Sequence, residues 1–203
     1  CQIPGAVAMT LPIAISDLLH GHAVEWERLE FKKSWNPVDV LHTLCAFAND
    51  FHNLGGGYIV IGVAEEDGHP VLPPVGLSPQ EVDRVQKELL NLGNAAIRPP
   101  YHPLAAPYEI DGRLVLVLWA PGGRTRPYRA RTTLAKNKPD DYAWFIRKNS
   151  NTVRARGADE AELMGLAATV PLDDRENIFA KVDDLSPELM IDYLREVKSD
   201  LAK

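Results

Sequence analysis

Cysteine is scarce in this chain of 203 residues, where only Cys1 and Cys45 occur. Two such distant positions do not build a disulfide framework or a zinc knuckle, so a reducing cytoplasm is the expected location. We expect Cys45, inside an apolar helical run, to be a core residue. Of the six histidines only His20 and His22 are closely spaced, and they would point apart on a helix, so zinc binding is not expected.

Long apolar runs are also missing. The longest, Leu114 to Ala120, fits a strand and falls far short of the roughly 18 residues that a membrane span needs. We therefore expect no membrane partner. The length allows one large domain or a domain with an appendage, and the lack of an initiator Met suggests a fragment of a longer protein.

Charge is distributed unevenly. The net charge is −6, yet residues 113–156 contain eleven basic side chains and only two acidic ones, Asp140 and Asp141. This segregation predicts one basic face on an otherwise acidic body, which is how an acidic protein can still bind a polyanion.

The chain is organised around residues 25–63. Residues 28–33 alternate like a strand, which puts Glu30 and Lys32 on a common face. A helix is predicted from Pro37 to about Asn49, capped by Asn36 or Ser34, and a glycine-rich break precedes a strand over 58–63. This order can bring the two strands side by side.

The other elements follow from caps, turns and periodicity. In the first half of the chain we predict a helix over 11–22, a turn at 65–68, and a helix from Ser78 whose apolar positions are Val82, Val85, Leu89, Leu90 and Leu92. A hairpin of 104–110 and 113–120 around Asp111-Gly112 and a flexible basic loop over 121–140 follow. The last elements are a strand at 142–147, a turn at 149–152, a short strand to Arg156, and a helix over 158–169.

The predicted fold is α+β, a mixed or antiparallel sheet flanked by helices, with a C-terminal helical extension. We expect the domain over residues 12–168 and an acidic linker over 169–185. Residues 186–203 are expected either to begin a further helical region or to pack against a second copy as a homo-oligomer.

Several sequence blocks together resemble the Schlafen/AlbA-type DNA-binding domain over roughly residues 20–167. They are Glu25…Leu29-Glu30-Phe31-Lys32, Ala46-Phe47-Ala48-Asn49, Gly56 to Val63, Arg126-Pro127-Tyr128, and Phe145 to Thr152. In bacteria such domains head larger RecG-helicase-related proteins and transcriptional regulators. The resemblance therefore implies a nucleic-acid-binding module, with any ATP binding belonging to the full-length protein. Residues 49–57 form a longer join than the family's usual one, and Glu65 replaces its usual aspartate.

The resemblance also implies a site, because Schlafen nucleases use two glutamates and a later acid as a metal-dependent ribonuclease centre. The matching positions are Glu25, Glu30 and Glu65, with Lys32 nearby. Carboxylates bind Mg²⁺ or Mn²⁺, and the metal ion generates a nucleophilic water. A lysine can stabilise the negative charge that develops on the phosphate. The competing interpretation is structural, with Glu30 and Lys32 pairing with each other or with the basic loop. A binding domain is preferred to an enzyme.

The glycine run Gly55-Gly56-Gly57 could cradle a phosphate through backbone N–H groups. It lacks the lysine-serine pair and the following helix of a nucleotide-binding loop, so a tight, closely packed turn is the preferred interpretation.

The basic stretch is the preferred functional surface. Loop and strand-end cations would contact phosphates, and Tyr128 would offer a stacking ring. The predicted nucleic-acid contacts are Arg124, Arg126, Tyr128, Arg129, Arg131, Arg147, Lys148, Arg154 and Arg156. Two alternatives stay open: a merely solvated loop, and an assembly module whose charged faces mate between copies.

Overall fold

The computed structural model describes residues 27–135 and 141–168 without a break, together with positions 11, 15, 19, 186, 191 and 194–196. The chain divides into two compact units, Cys1–Thr169 and Val170–Lys203. In the second unit, Ile191 and residues 194–196 are helical. The predicted linker at 169–185 and most of the predicted helix at 11–22 lie outside the described residues.

Between Leu29 and Ala168, within the described ranges, the first unit contains ten strands and three helices. In chain order they are β1 Leu29–Lys32, α1 Pro37–Asn49, β2 Gly57–Ile61, β3 Ala64–Glu66, β4 His69–Val71, α2 Pro79–Ala95, β5 Ile97–Arg98, β6 Leu104–Ile110, β7 Arg113–Ala120, β8 Arg129–Arg131, β9 Tyr142–Lys148, β10 Asn151–Arg154 and α3 Ala158–Ala168.

The first sheet has four strands in the order β1-β2-β7-β6. β1 runs parallel to β2, with Phe31 opposite Val60, and the other pairs are antiparallel. The strands before and after α1 are therefore neighbours, as predicted. The β6–β7 hairpin turns at Asp111 and Gly112, whose φ values of 50° and 72° fit the predicted turn.

The second sheet also has four strands, in the order β10-β9-β8-β5, and all its pairs are antiparallel. A separate two-stranded ribbon pairs β3 with β4. The predicted α+β class, with mixed and antiparallel sheets and flanking helices, is confirmed.

Helix α1 lies between the two sheets. Asn36 caps it by accepting a hydrogen bond from the backbone of Asp39, and Pro37 occupies the first turn. Its buried side chains form one core with inward residues of both sheets, including Ile59 of the first and Phe145 of the second. Cys45 is part of this core, and burial raises the pKa of its thiol to about 12.

Helix α2 begins with a capping box between Ser78 and Glu81. Hydrogen bonds from Ser78 lower the pKa of the Glu81 carboxyl. Val82, Val85 and Leu89 are buried, as the apolar stripe predicted. The prediction for Leu90 is wrong, because the next residue along a helix points about 100° away from Leu89 and leaves this side chain 57% exposed.

Two short strands lie where the sequence indicated only turn or loop. Glu65 and Glu66 belong to β3, so the turn is confined to Asp67 and Gly68, at φ values of 51° and 79°. β8 lies inside the predicted loop at 121–140, of which residues 136–140 are outside the described part. Strands of three residues are too short to show periodicity.

Helix α3, as predicted, closes the described part of the domain. Leu163 packs with Ile146 and Phe51 at one end of the second sheet's outer face. None of the helices in the described ranges is long and apolar enough to cross a membrane.

Candidate functional site

The carboxylate of Glu30 lies between two cations. Leu29 and Phe31 join the apolar cluster on the outer face of the first sheet, so the alternate residues Glu30 and Lys32 point to its inner side. Glu30 Oε1 is 2.6 Å from Lys32 Nζ, and Oε2 is 2.6 Å from Arg147 Nη1. Glu30 and Lys32 thus pair with each other, which is one of the two contacts that the structural interpretation predicted.

Arg147 is an interior residue. It is 4% exposed, its guanidinium also donates to Thr152 Oγ1 at 3.0 Å, and it lies 5.4 Å from the ring centroid of Phe47. Its assignment to a phosphate-contacting surface is therefore wrong. The reason is register: Arg147 is on the face of β9 that packs against α1, and its charge is matched by Glu30.

The predicted glutamates do not assemble into a metal centre in the described part of the chain. Glu65 is exposed on β3, where its Oε1 accepts a hydrogen bond from Gly68 N at 2.6 Å and holds the turn. Both oxygens of Glu30 are engaged, and Glu25 lies outside the described residues. No three His, Cys, Asp or Glu side chains in the described ranges are grouped to hold a metal ion. In this arrangement a divalent metal ion at Glu30 would have to displace Lys32 or Arg147.

The glycine turn is occupied by the protein's own carboxylate. Asp50 accepts hydrogen bonds from Leu54 N at 2.8 Å and from Gly55 N at 3.1 Å. These backbone N–H groups are the ones that a phosphate would need. The phosphate-loop interpretation of Gly55 therefore requires displacement of Asp50.

Gly56 and Gly57 are required by close packing. A Cβ on Gly56, whose φ is +76°, would lie 2.0 Å from the carbonyl oxygen of Ala120, and one on Gly57 would lie 2.4 Å from the Phe47 ring. A tight, closely packed turn accounts for both positions.

Asn49, the last residue of α1, is fully buried and connects three elements through its side-chain amide. Its Nδ2 donates to the carbonyls of Tyr128 at 2.9 Å and Phe145 at 2.8 Å, while its Oδ1 accepts from Tyr128 N at 2.7 Å. One amide thus ties α1 to the start of β8 and to β9. The sequence signal was a lone asparagine at the end of an apolar helix, to which no such role was assigned.

Arg126 and Tyr128 serve the same junction. Tyr128 is 4% exposed and its hydroxyl lies 2.7 Å from Thr125 Oγ1, so the prediction of a free stacking ring is wrong. Arg126 is half-buried and donates to the carbonyls of Asn49 at 3.3 Å and Asp50 at 3.2 Å. A cation at the C-terminal end of α1 complements the helix dipole, which gives Arg126 a structural role.

The remaining predicted cations of the described chain lie at or near the surface. Arg131 is half-buried, and Lys148 is exposed but pairs with Asp159 at 2.6 Å. Four predicted arginines are exposed: Arg124, Arg129, Arg154 and Arg156. Lys136 and Lys138, part of the basic stretch, are outside the described residues.

Arginines and aromatic rings share the outer face of the second sheet. Arg98 pairs directly with Arg129, Arg129 with Trp144, and Arg131 with Tyr142. Directly paired residues share a face, and the residues between them, such as Ala130, are buried on the inner side. We call this surface the arginine–aromatic face and define it as Arg98, Arg129, Arg131, Tyr142 and Trp144.

Tyr142 is at the centre of the arginine–aromatic face. Arg98 Cζ lies 4.5 Å and Arg129 Cζ 5.7 Å from the centroid of its ring. Neither Arg98 nor Tyr142 was among the predicted nucleic-acid contacts. The sequence signal that was available is the alternation of exposed and buried residues along β8 and β9. The surface also includes Arg98, however, and this residue joins it only through the pairing of β5 with β8.

A charged pocket lies at the C-terminal end of α1, beside the lengthened join. Glu27 Oε1 accepts from His52 Nδ1 at 2.8 Å and from Asn149 N at 3.2 Å, and Arg28 and Asp50 also line the pocket. Arg28 Nε donates to the carbonyl of Gly56 at 3.1 Å. The extra residues of the join thus supply His52, a position that no sequence pattern singled out.

Two solved structures are similar to parts of this chain. The N-terminal domain of a RecG-related protein from Nitrosomonas europaea, a candidate ATP-dependent DNA helicase, matches at 28% identity and a TM-score of 0.43 over 54% of this chain and 74% of that chain. A crystal structure from Corynebacterium diphtheriae matches at 16% identity and a TM-score of 0.46 over 81% of this chain and 28% of that chain. No curated protein matches significantly.

The family model described as Schlafen, AlbA_2 matches residues 25–156. This range runs from the residues just before β1 to just beyond β10, and it includes both sheets, α1, α2, the Glu30–Arg147 pair and the arginine–aromatic face. The chain belongs to the Schlafen AlbA_2 family.

Proposed function

We propose that this domain is a nucleic-acid-binding module of a bacterial transcriptional regulator or helicase-related protein, and that it holds the phosphate backbone. The observation that carries the proposal is the direct pairing of Arg98 with Arg129, two exposed arginines on β5 and β8. The two guanidinium groups can bind one phosphate between them through charge-assisted hydrogen bonds.

Further support comes from the exposed Arg124, Arg154 and Arg156 and from family membership. Phosphate contacts carry little sequence information, because every nucleotide presents the same group. We therefore expect binding that depends weakly on base sequence and strongly on salt.

The test is fluorescence anisotropy of the whole chain with labelled tRNA, single-stranded DNA and duplex DNA over a series of KCl concentrations. The logarithm of the affinity should fall linearly with the logarithm of the salt concentration. Arg129→Ala should weaken binding and reduce the steepness of that line by roughly one unit. Arg84→Ala is the matched control, because it removes an exposed arginine from α2, outside the second sheet.

Absence of binding at low salt would refute the proposal and point to the assembly role. Parallel denaturing gels with Mn²⁺ or EDTA test the ribonuclease alternative. Metal-dependent cleavage that Glu30→Gln abolishes would favour the enzyme built on Glu25, Glu30 and Glu65. Intact strands that shift on native gels would favour the binding module.

A further inference from the structure

The arginine–aromatic face offers more than positive charge, since ring and guanidinium planes lie among its cations. We infer that this face is a platform for a single strand of nucleic acid, with unpaired bases stacked over the Tyr142–arginine layer and phosphates held by the arginines. The inference rests on the proposed function and adds the class of ligand.

Tyr142 is held in place before any ligand arrives. Its hydroxyl donates to the carbonyl oxygen of Ala95 at 3.2 Å, at the end of α2, while Arg98 lies over its ring. Arg98 and Tyr142 thus bring two planar groups together on this face. Bases stack on such planes as they do on aromatic rings, and a preorganised platform loses little conformational freedom on binding.

The shape of the face favours unpaired nucleotides. In its described part it is a surface of β5, β8 and β9, bounded on one side by α3, which packs near Trp144. A duplex hides the flat faces of its bases inside the stack and exposes only their edges in the grooves. Only an unpaired strand can lay base faces on this surface.

The spacing of the charges fits the same ligand. Arg98 and Arg129 are on adjacent strands, where paired side chains start about 5 Å apart. Arg129 and Arg131 are two residues apart on one strand, or about 7 Å. This gives a short, regular set of cations beside the platform, suited to successive phosphates of an extended strand.

The experiment compares a labelled 20-nucleotide oligothymidylate and oligouridylate with a 20-base-pair duplex at equal salt, using the whole chain. We expect at least tenfold tighter binding to one or both single strands than to the duplex. Tyr142→Leu should weaken single-strand binding about tenfold. Tyr142→Phe keeps the ring but loses the hydrogen bond to the Ala95 carbonyl, so it should weaken single-strand binding less than Tyr142→Leu does.

A second variant separates the effect of the planar guanidinium from the effect of its positive charge. Its result does not depend on whether Tyr142→Leu folds. Arg98→Lys keeps the positive charge but loses the planar guanidinium. It should weaken single-strand binding several-fold while leaving the salt dependence and the duplex affinity unchanged. The two single-stranded probes show whether DNA or RNA is preferred.

Equal or tighter binding to the duplex would overturn this inference while leaving the proposed function intact. Unchanged single-strand affinity in Arg98→Lys, or in folded Tyr142→Leu, would do the same. Absence of binding to every probe at low salt would instead overturn the proposed function itself.

Discussion

Glu30 and Arg147, 117 positions apart in the sequence, form a buried ion pair with 2.6 Å between Oε2 and Nη1. Glu30 is on β1 of the first sheet and Arg147 on β9 of the second, so the pair spans the two sheets beside α1. The two residues are 8% and 4% exposed, so their mutual attraction offsets part of the cost of burying both charges.

Removing one member of this pair should destabilise the domain strongly. Arg147→Met leaves the buried Glu30 carboxylate with Lys32 as its ion-pair partner. We expect a loss of about 3–5 kcal/mol in the free energy of unfolding, the usual result when one buried partner is deleted. Chemical denaturation followed by circular dichroism measures this loss.

The control for that variant is the next residue. Lys148→Met breaks the exposed pair with Asp159 and should change stability by about 1 kcal/mol or less. Equal effects of the two variants would show that the Glu30–Arg147 pair contributes no more than a surface contact.

Gly56 and Gly112 allow a clean test of the glycine turn. Their φ values are similar, +76° and +72°, but a Cβ on Gly56 would meet Ala120 O at 2.0 Å whereas one on Gly112 meets nothing within 4 Å. Gly112→Ala should cost about 1–2 kcal/mol from backbone strain alone. Gly56→Ala should cost more than about 3 kcal/mol, because backbone must also move. Similar melting temperatures for the two variants would contradict the packing role.

Asn49→Asp should disrupt the junction of α1, β8 and β9. The change replaces two N–H donors with a carboxylate oxygen facing the carbonyls of Tyr128 and Phe145. Leaving those groups unsatisfied around a buried charge should cost more than about 3 kcal/mol at neutral pH. The same substitution at exposed Asn53 should stay within about 0.5 kcal/mol. A small effect at Asn49 in urea titrations would argue against the junction.

His42 should make the domain less stable in mild acid. Burial lowers the pKa of His42 below its ordinary value of 6.5, against opposing effects of the hydrogen bond to the Arg131 carbonyl and the charge of Asp39. The unfolded chain therefore takes up this proton at a higher pH than the folded chain does. Titration of His42 costs no stability above pH 6.5, and the free energy of unfolding falls as the pH drops below that value. The decline is at most about 1.4 kcal/mol per pH unit.

His42→Gln is the test variant, since it keeps an N–H donor for the Arg131 carbonyl and cannot titrate in this range. Thermal unfolding between pH 7.5 and 5.5 should show a smaller loss of stability in the variant than in the parent chain. Identical pH dependence would remove His42 as a source of acid sensitivity.

Local signals in the sequence were enough to predict most of the elements. Pro37 after Asn36 predicted the start of α1, the Ser78–Glu81 spacing that of α2, and Asp111-Gly112 the long hairpin. Each is decided by a few adjacent residues. β3, β4, β5 and β8 were missed because strands of two or three residues acquire their structure from their partners.

The candidate site was harder to predict because charge alone does not reveal which way a side chain points. Arg126, Tyr128 and Arg147 belong to the same basic stretch as Arg129, yet the first three are partly or fully enclosed around α1. Arg98 comes from a two-residue strand that only long-range pairing brings beside Arg129. Register across strands far apart in sequence decides both outcomes.

The position of α1 between the two sheets has a consequence for local opening. Its residues from Val40 to Asn49 are buried apart from half-buried His42, with sheet residues packed on opposite sides. Water can reach the backbone amides of such a helix only after both sheets separate from it. Hydrogen exchange in the middle of α1 should therefore proceed through global unfolding and be among the slowest in the domain.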